Sequence, residues 1–199
     1  MIGITIGEIH VGDHAEIARV AGDADIAGFV AAVGDANPIH SDPDYAARTM
    51  FGERIAPGIW TAGLISAVIG TRLPGPGTIY LSQDLRFVKP VKLGDAVRAR
   101  VEVIEVDAGR NRVRLRTVCT NQRGDEVLVG DALVMPSRTQ VVYEAPSAAS
   151  LMAFWTLAPL VWAAEGAALG MVGLAALAGA APVRYMKSPP LMESSAPVM

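Results

Sequence analysis

The sequence is poor in the side chains that build metal centres and disulfide frameworks. Among its 199 residues there are one cysteine, Cys119, and three histidines. A single cysteine excludes an internal disulfide and any metal cluster held by several thiolates, and it fits a reducing compartment. His10 and His14 are four residues apart, but Gly12 and Asp13 between them argue against a helical metal site. The sequence therefore predicts no metal ion.

Charged residues are also scarce, and neither sign prevails. There are 17 basic and 20 acidic residues, which give a formal net charge of -3 and a charged fraction of 19%. Nucleic-acid binding is disfavoured, because a phosphate backbone attracts strongly basic surfaces. Residues 1–14 lack a basic start followed by a continuous apolar stretch, so no secretory signal is predicted. We expect a cytoplasmic protein that binds no nucleic acid.

The charged residues are unevenly distributed, and they divide the chain near residue 140. Residues 1–140 contain 17 acidic and 15 basic side chains, whereas the remainder contains 3 and 2. From Ala145 to Val183 the only charged residue is Glu165. The sequence predicts a globular domain over residues 1–140. Residues 141–199 are predicted to form an apolar helical tail with a disordered end rich in proline and serine.

The apolar part of the tail allows two interpretations. Leu160–Ala180 is 21 residues long and has one charge, which is enough to cross a hydrocarbon core about 30 Å thick. In a simple span, however, Glu165 would lie near one end, and Arg184 and Lys187 would orient the preceding domain away from the cytoplasm. The segment 151–181 therefore either attaches the domain to a membrane or polymer granule without a simple span, or packs as a helix on the domain or a partner.

The first half of the chain has helical periodicity. Apolar residues three and four apart predict a helix over Asp23–Val33. Asp42 as N-cap and a proline at the first helical position predict a short helix over Pro43–Arg48. A third helix, from Gly58 to about Thr71, is apolar nearly all round. At about 14 residues it is too short to span a bilayer, and we expect it to be a buried core helix.

Beyond Gly77 the hydrophobic period becomes two. Four runs separated by Gly, Asp and Asn turns are predicted to be strands: Ile79–Val88, Ala96–Val106, Arg112–Thr120 and Glu126–Met135. In the second run valine and alanine alternate with charged residues, which indicates a sheet with one face buried and the other exposed to solvent. The sequence thus predicts an α+β fold, in which an antiparallel meander wraps around the apolar helix.

The densest group of reactive side chains lies between Gly34 and Pro43. Pro38 keeps the residue before it out of helical geometry, so the chain turns sharply between Asp35 and His40. The carboxylate and the imidazole can then converge on one cavity. An imidazole titrates near neutrality, and a neighbouring carboxylate can orient it or share a water with it. Spacing alone leaves an alternative, in which Asp35 is a turn residue and His40 a hydrogen-bonded loop residue.

Five ordered segments resemble the MaoC-like (R)-specific enoyl-CoA hydratases, which have the hot-dog fold. These segments are Asp23–Ile26, Gly34–Pro43, Phe51–Gly58, Leu73–Leu81 and Phe87–Asp95. The resemblance covers about residues 8–137 and implies an antiparallel sheet wrapped around a central helix. It implies that Asp35 and His40 form the catalytic pair and that trans-2-enoyl-CoA is hydrated to (R)-3-hydroxyacyl-CoA. It further implies a homodimer that uses no metal or redox cofactor, with the CoA thioester as substrate.

Three further site residues are expected, and the resemblance implies the first of them. It places an oxyanion glycine at Gly58, where the free N–H groups and the positive dipole end of a helix point outward. Asn37 is expected to fix the loop, or the water of the pair, through its amide. Ser66 is expected to face the acyl pocket, although a hydroxyl bonded back to its own helix is an equal alternative. Many relatives have a histidine where this chain has Pro57, so no second histidine is expected to act.

Other functions remain open at this stage. The chain could instead be a dehydratase for acyl groups on acyl carrier protein, or a hydratase for branched or dicarboxylic acyl-CoA. It could also be an inert acyl-binding module with a membrane-attachment tail, although the intact Asp35 and His40 pair counts against that function. The sequence does not indicate the length of the acyl chain.

Overall fold

The computed structural model describes residues 1–144, which form an α+β fold with one five-stranded antiparallel sheet. The strands are β1 (His14–Val20), β2 (Ile79–Phe87), β3 (Ala96–Asp107), β4 (Arg112–Thr120) and β5 (Glu126–Met135). The α-helices are α1 (Asp23–Val33), α2 (Pro38–Ser41), α3 (Pro43–Ala47) and α4 (Gly58–Thr71), and a short 3-10 turn covers Ile6–Glu8. The predicted hot-dog arrangement of a sheet around one central helix is confirmed.

The strand order differs from the predicted meander. It is β1-β3-β4-β5-β2, so only β3, β4 and β5 follow one another as neighbours. β2 pairs with β5 at one edge of the sheet, and β1 pairs with β3 at the other. Local periodicity identifies strands but does not determine which strand lies beside which. β1 was not predicted at all, because it is an edge strand without a clear alternation of apolar and polar residues.

The helix α4 packs on the inner face of the sheet through one side only. Its buried residues are Trp60, Thr61, Leu64, Ile65, Val68 and Ile69. They face a layer in β3 in which Val97, Ala99, Val101 and Val103 are all at most 1% exposed. Because these residues are almost fully buried, this layer is the centre of the core. Burying a side chain the size of Ile65 contributes about 1.5–3 kcal/mol to the stability of the fold.

The opposite side of α4 is open, which corrects the prediction of a helix buried all round. Ile59, Gly63, Ser66 and Gly70 lie on this side and are exposed. Small residues make the open side shallow, and Ile59 is the one large apolar side chain among them, with 57% of its surface exposed.

The N-terminus and the segment after β5 are hydrogen-bonded to each other. Gly3 N–H donates to Val141 O at 2.7 Å, and Tyr143 N–H donates to Met1 O at 2.8 Å. These hydrogen bonds join residues up to Tyr143 to the N-terminus of the domain. The predicted helical tail lies outside the described residues. Within residues 1–144, no helix is long and apolar enough to cross a membrane.

Candidate active site

The loop that carries the predicted acid and base is built by two local features. α1 ends at Gly34, which adopts a left-handed conformation with φ of 72° and lets the chain reverse after the helix. Asn37 then caps α2, since its Oδ1 accepts a hydrogen bond from Ile39 N–H at 3.3 Å. The Asp35 Oδ1 atom accepts a hydrogen bond of 3.2 Å from Asn37 N–H, and this bond orients the carboxyl group. α2 was not predicted, and it is this single turn that presents His40.

Asp35 and His40 come together as predicted. The distance from His40 Nε2 to Asp35 Oδ2 is 3.6 Å, and the two side chains are 10% and 35% exposed respectively. The other ring nitrogen, His40 Nδ1, lies 2.8 Å from Ile55 O. A carbonyl oxygen can only accept, so Nδ1 must carry the hydrogen. In the neutral form of the imidazole, this hydrogen bond leaves the lone pair of Nε2 facing the carboxylate.

This arrangement brings two proton acceptors into one small space. The neutral Nε2 and an ionised Asp35 cannot hydrogen-bond directly, because neither has a hydrogen to donate to the other. A water molecule that donates one hydrogen to each would satisfy both. If His40 gains a proton, its charge is stabilised by the adjacent carboxylate. The pair can thus hold a water and take a proton from it.

A separate apolar cavity of about 460 Å³ lies at the N-terminus of α4. Among its lining residues are Phe51, Ile55, Gly58, Thr61, Phe87 and Lys89. Within the described part of the chain, no group accepts a hydrogen bond from Gly58 N–H. The ring of Phe87 covers Gly58 so closely that a Cβ at position 58 would lie 2.7 Å from Phe87 Cε1. A residue with a free amide N–H at the positive end of a helix therefore lines this cavity.

Ile55 links the pair of Asp35 and His40 to this cavity. Its carbonyl oxygen accepts the hydrogen bond from His40, and the residue lines the same cavity as Gly58. His40 itself lines a second cavity of about 300 Å³, with Ser41, Arg54 and residues of α1. A salt bridge of 2.5 Å joins Arg54 to Asp23 beside that second cavity.

Two other predicted site residues, Asn37 and Ser66, line neither cavity. Asn37 is exposed and fixes the loop rather than lining either cavity. Ser66 lies on the open side of α4, eight residues or about 12 Å along the helix axis from Gly58. It lines neither cavity, and within residues 1–144 its hydroxyl makes no hydrogen bond to the helix backbone. The role of Ser66 stays a prediction.

Two cavity residues were not predicted from the sequence. Thr61 lies one helical turn after Gly58, and this spacing is the signal that would have placed it in the same cavity. Phe87 begins the segment Phe87–Asp95 that resembles the hydratases, but only the folded structure brings its ring over Gly58. Among residues 1–144, no three His, Cys, Asp or Glu side chains are grouped to hold a metal ion.

Comparisons with known proteins agree with this architecture. Residues 8–123 match the family model of the MaoC like domain. The chain is 51% identical over 128 residues to 3-hydroxybutyryl-CoA dehydratase of Methylorubrum extorquens, a match that covers 64% of this chain and 80% of that one. It is 46% identical to the (R)-specific enoyl-CoA hydratase of Rhodospirillum rubrum, over 66% of this chain and 91% of the relative.

A solved structure has the same fold. R-hydratase PhaJ1 from Pseudomonas aeruginosa, in the unliganded form, superposes with a TM-score of 0.68 at 45% sequence identity. The match covers 73% of this chain and 96% of the hydratase. The family model alone spans more than half of the chain. This chain therefore belongs to the MaoC-like family.

Proposed function

We propose that the protein adds water to the double bond of a trans-2-enoyl-CoA and forms the (R)-3-hydroxyacyl-CoA. The relatives named hydratase and dehydratase are hydro-lyases, and this chain is an enzyme of that class. Hydration and dehydration are the two directions of one reaction and share a transition state. The observation that carries the proposal is the pairing of His40 Nε2 with Asp35 Oδ2 at 3.6 Å, with Nδ1 held by a backbone carbonyl.

The first step is activation of water by the pair. A water between Nε2 and Oδ2 is held by two acceptors, which leaves its oxygen lone pair free to attack C3 of the substrate. As the new O–C3 bond forms, the π electrons of the C2–C3 bond move onto the thioester as an enolate. One member of the pair takes the proton of the water. That proton is then available for C2 on the same face, which gives a syn addition.

The second requirement is stabilisation of the enolate oxygen. The free N–H of Gly58 is proposed as the donor, since it lies in an apolar cavity at the positive end of α4. Asn37 is proposed to hold the loop in place, supported by its hydrogen bond to Ile39 N–H. The CoA thioester is the substrate, and the proposed chemistry uses no metal or redox cofactor.

The protein is proposed to act as a homodimer. β2 is an edge strand with one unpaired side, and it exposes the apolar residues Ile79, Leu81 and Phe87 to between 41% and 51%. An exposed edge strand with apolar side chains favours pairing with another chain. A second copy is self-complementary there, because antiparallel pairing about Leu85 sets Asp84 of each copy opposite Arg86 of the other. Light scattering should give twice the chain mass of 20.8 kDa, and a monomer would remove this proposal.

A carrier-protein substrate is the second candidate. A tomato relative named 3-hydroxyacyl-[acyl-carrier-protein] dehydratase is 33% identical over 129 residues. Crotonyl-CoA and the corresponding carrier-protein thioester should therefore be compared directly. A kcat/KM at least about 10-fold higher for the CoA thioester supports the proposed substrate, and the reverse ratio supports the alternative. Absence of hydration with both would leave an inert acyl-binding module.

We propose a cytoplasmic location, with attachment to a membrane or granule through segment 151–181 as the function of the tail. Support comes from the composition of that segment, whose only charge is Glu165. Sedimentation of the full chain with lipid vesicles tests it, with a chain ending at Glu144 as the control. A full chain that stays in the supernatant would remove the attachment proposal.

A further inference from the structure

The residues that line the cavity at the N-terminus of α4 include a threonine as well as Gly58. Thr61 lines the cavity and is only 2% exposed, so it belongs to the core as well as to the cavity wall. In the part of the chain described, its hydroxyl makes no hydrogen bond. Thr71, at the other end of the same helix, differs in this respect, since its hydroxyl donates to Ala67 O at 2.6 Å.

The hydroxyl of Thr61 is not fully enclosed by the protein. Among residues 1–144, the one fully enclosed side-chain nitrogen or oxygen without a partner is Asn111 Oδ1. The Thr61 oxygen has no partner either, yet it is not among the fully enclosed atoms. The small exposed part of Thr61 must therefore include this oxygen. A polar group in such apolar surroundings is costly to leave unpaired, so it is expected to bind whatever occupies the cavity.

Helix geometry directs Thr61 toward Gly58. Residues three apart lie on one side of a helix, and each Cα–Cβ bond is tilted toward the N-terminus. The Thr61 side chain therefore leans toward the turn that begins at Gly58. Both groups border the same cavity. A hydroxyl can donate a hydrogen bond as well as accept one.

We propose that the Thr61 hydroxyl is a second hydrogen-bond donor to the thioester oxygen, beside the N–H of Gly58. The inference rests on the proposed function, in which that oxygen gains negative charge in the transition state. Two donors in an apolar cavity stabilise an oxyanion better than one, because the surrounding dielectric is low. The interaction strengthens as the enolate forms, so it is expected to raise kcat more than it lowers KM.

The test removes the hydroxyl while keeping its shape. Thr61→Val is nearly isosteric and has a similar helix propensity, so the fold and melting temperature should be kept. We expect kcat for crotonyl-CoA hydration to fall at least about 10-fold. The Kd of the unreactive butyryl-CoA should change less than about 3-fold, because the ground-state carbonyl carries little charge. Thr61→Ser, which restores a hydroxyl, should recover most of kcat, and Thr71→Val should leave kinetics unchanged.

The outcomes separate this inference from the function on which it rests. If the wild-type chain does not hydrate enoyl thioesters, the proposed function fails. If the wild type is active and Thr61→Val keeps its kcat within about 2-fold, only the role of Thr61 is overturned. Equal losses in Thr61→Val and Thr61→Ser would also overturn it, because they would indicate packing rather than a hydrogen bond.

Discussion

Replacement of Gly58 by alanine should damage catalysis without unfolding the domain. A Cβ at position 58 would lie 2.7 Å from Phe87 Cε1, 3.0 Å from Cδ1 and 3.1 Å from Cζ. Carbon atoms in ordinary contact are about 3.5–4.0 Å apart, so the ring must move by about 1 Å. Phe87 is 51% exposed, and its ring can therefore shift without disturbing the core.

The expected loss follows from this displacement. Gly58 begins α4 without a positive φ, so alanine is compatible with the backbone and is a better helix former. The melting temperature should thus change little. A misplacement of about 1 Å in a catalytic arrangement can cost about 10²-fold, and we expect kcat/KM for crotonyl-CoA to fall by 10-fold to about 10²-fold. The assay is the loss of ultraviolet absorbance of the conjugated thioester on hydration.

A double-mutant cycle identifies the cause of that loss. Phe87→Leu shortens the side chain that the new methyl group would meet. If the clash is responsible, Gly58→Ala should cost less in the Phe87→Leu background than in the wild type. An equal cost in both backgrounds would refute the steric argument. Wild-type kinetics for Gly58→Ala alone would refute the placement of the thioester at this cavity.

Three further predictions test other parts of the account. Asp35→Asn and His40→Gln should each lower kcat by at least about 10²-fold with the melting temperature kept, and a folded variant with more than half of the wild-type activity would contradict the pair. Burial alone would raise the pKa of Asp95. Hydrogen bonds from Gln122 and the Lys92 amide, together with the charge of Arg123, lower that pKa by more, so it is below its usual value. Such a carboxylate stabilises the fold above its ordinary pKa and loses this effect as the pH falls. Denaturant unfolding between about pH 7 and pH 3 should therefore show a shallower pH dependence for Gln122→Leu, and an unchanged slope would contradict the assignment. A chain ending at Glu144 should stay soluble and keep the wild-type kcat, measured on crotonyl-CoA, and aggregation would show that the tail covers part of the core.

The features that the sequence predicted well are those with a strong local pattern. The bounds of α1 and α4 match the predicted helices, because each begins and ends at glycine, proline or polar residues that break a helical period. β3 alternates valine or alanine with charged residues, and its buried face was predicted correctly for that reason. The spacing of Asp35 and His40 predicted their convergence, since a proline between them forces a turn.

The features that were missed depend on contacts between distant residues. β1 has weak alternation, and only its pairing with β3 identifies it as a strand. The order of the strands is set by the crossover of β2 to the far edge, which no local pattern records. The open side of α4 was predicted to be buried, because an apolar composition does not reveal where covering elements are absent. The hydrogen bond from His40 to Ile55 O joins residues fifteen apart and fixes the ring tautomer.

The most direct test of the proposed function is the stereochemistry of the product from the purified full-length chain. Crotonyl-CoA is incubated with the protein, and the 3-hydroxybutyryl-CoA formed is resolved by chiral chromatography. The Asp35→Asn variant serves as the matched control. The account predicts mainly the (R) product from the wild type and little product from the variant. Mainly the (S) product, or no hydration of crotonyl-CoA by the wild type, would contradict it.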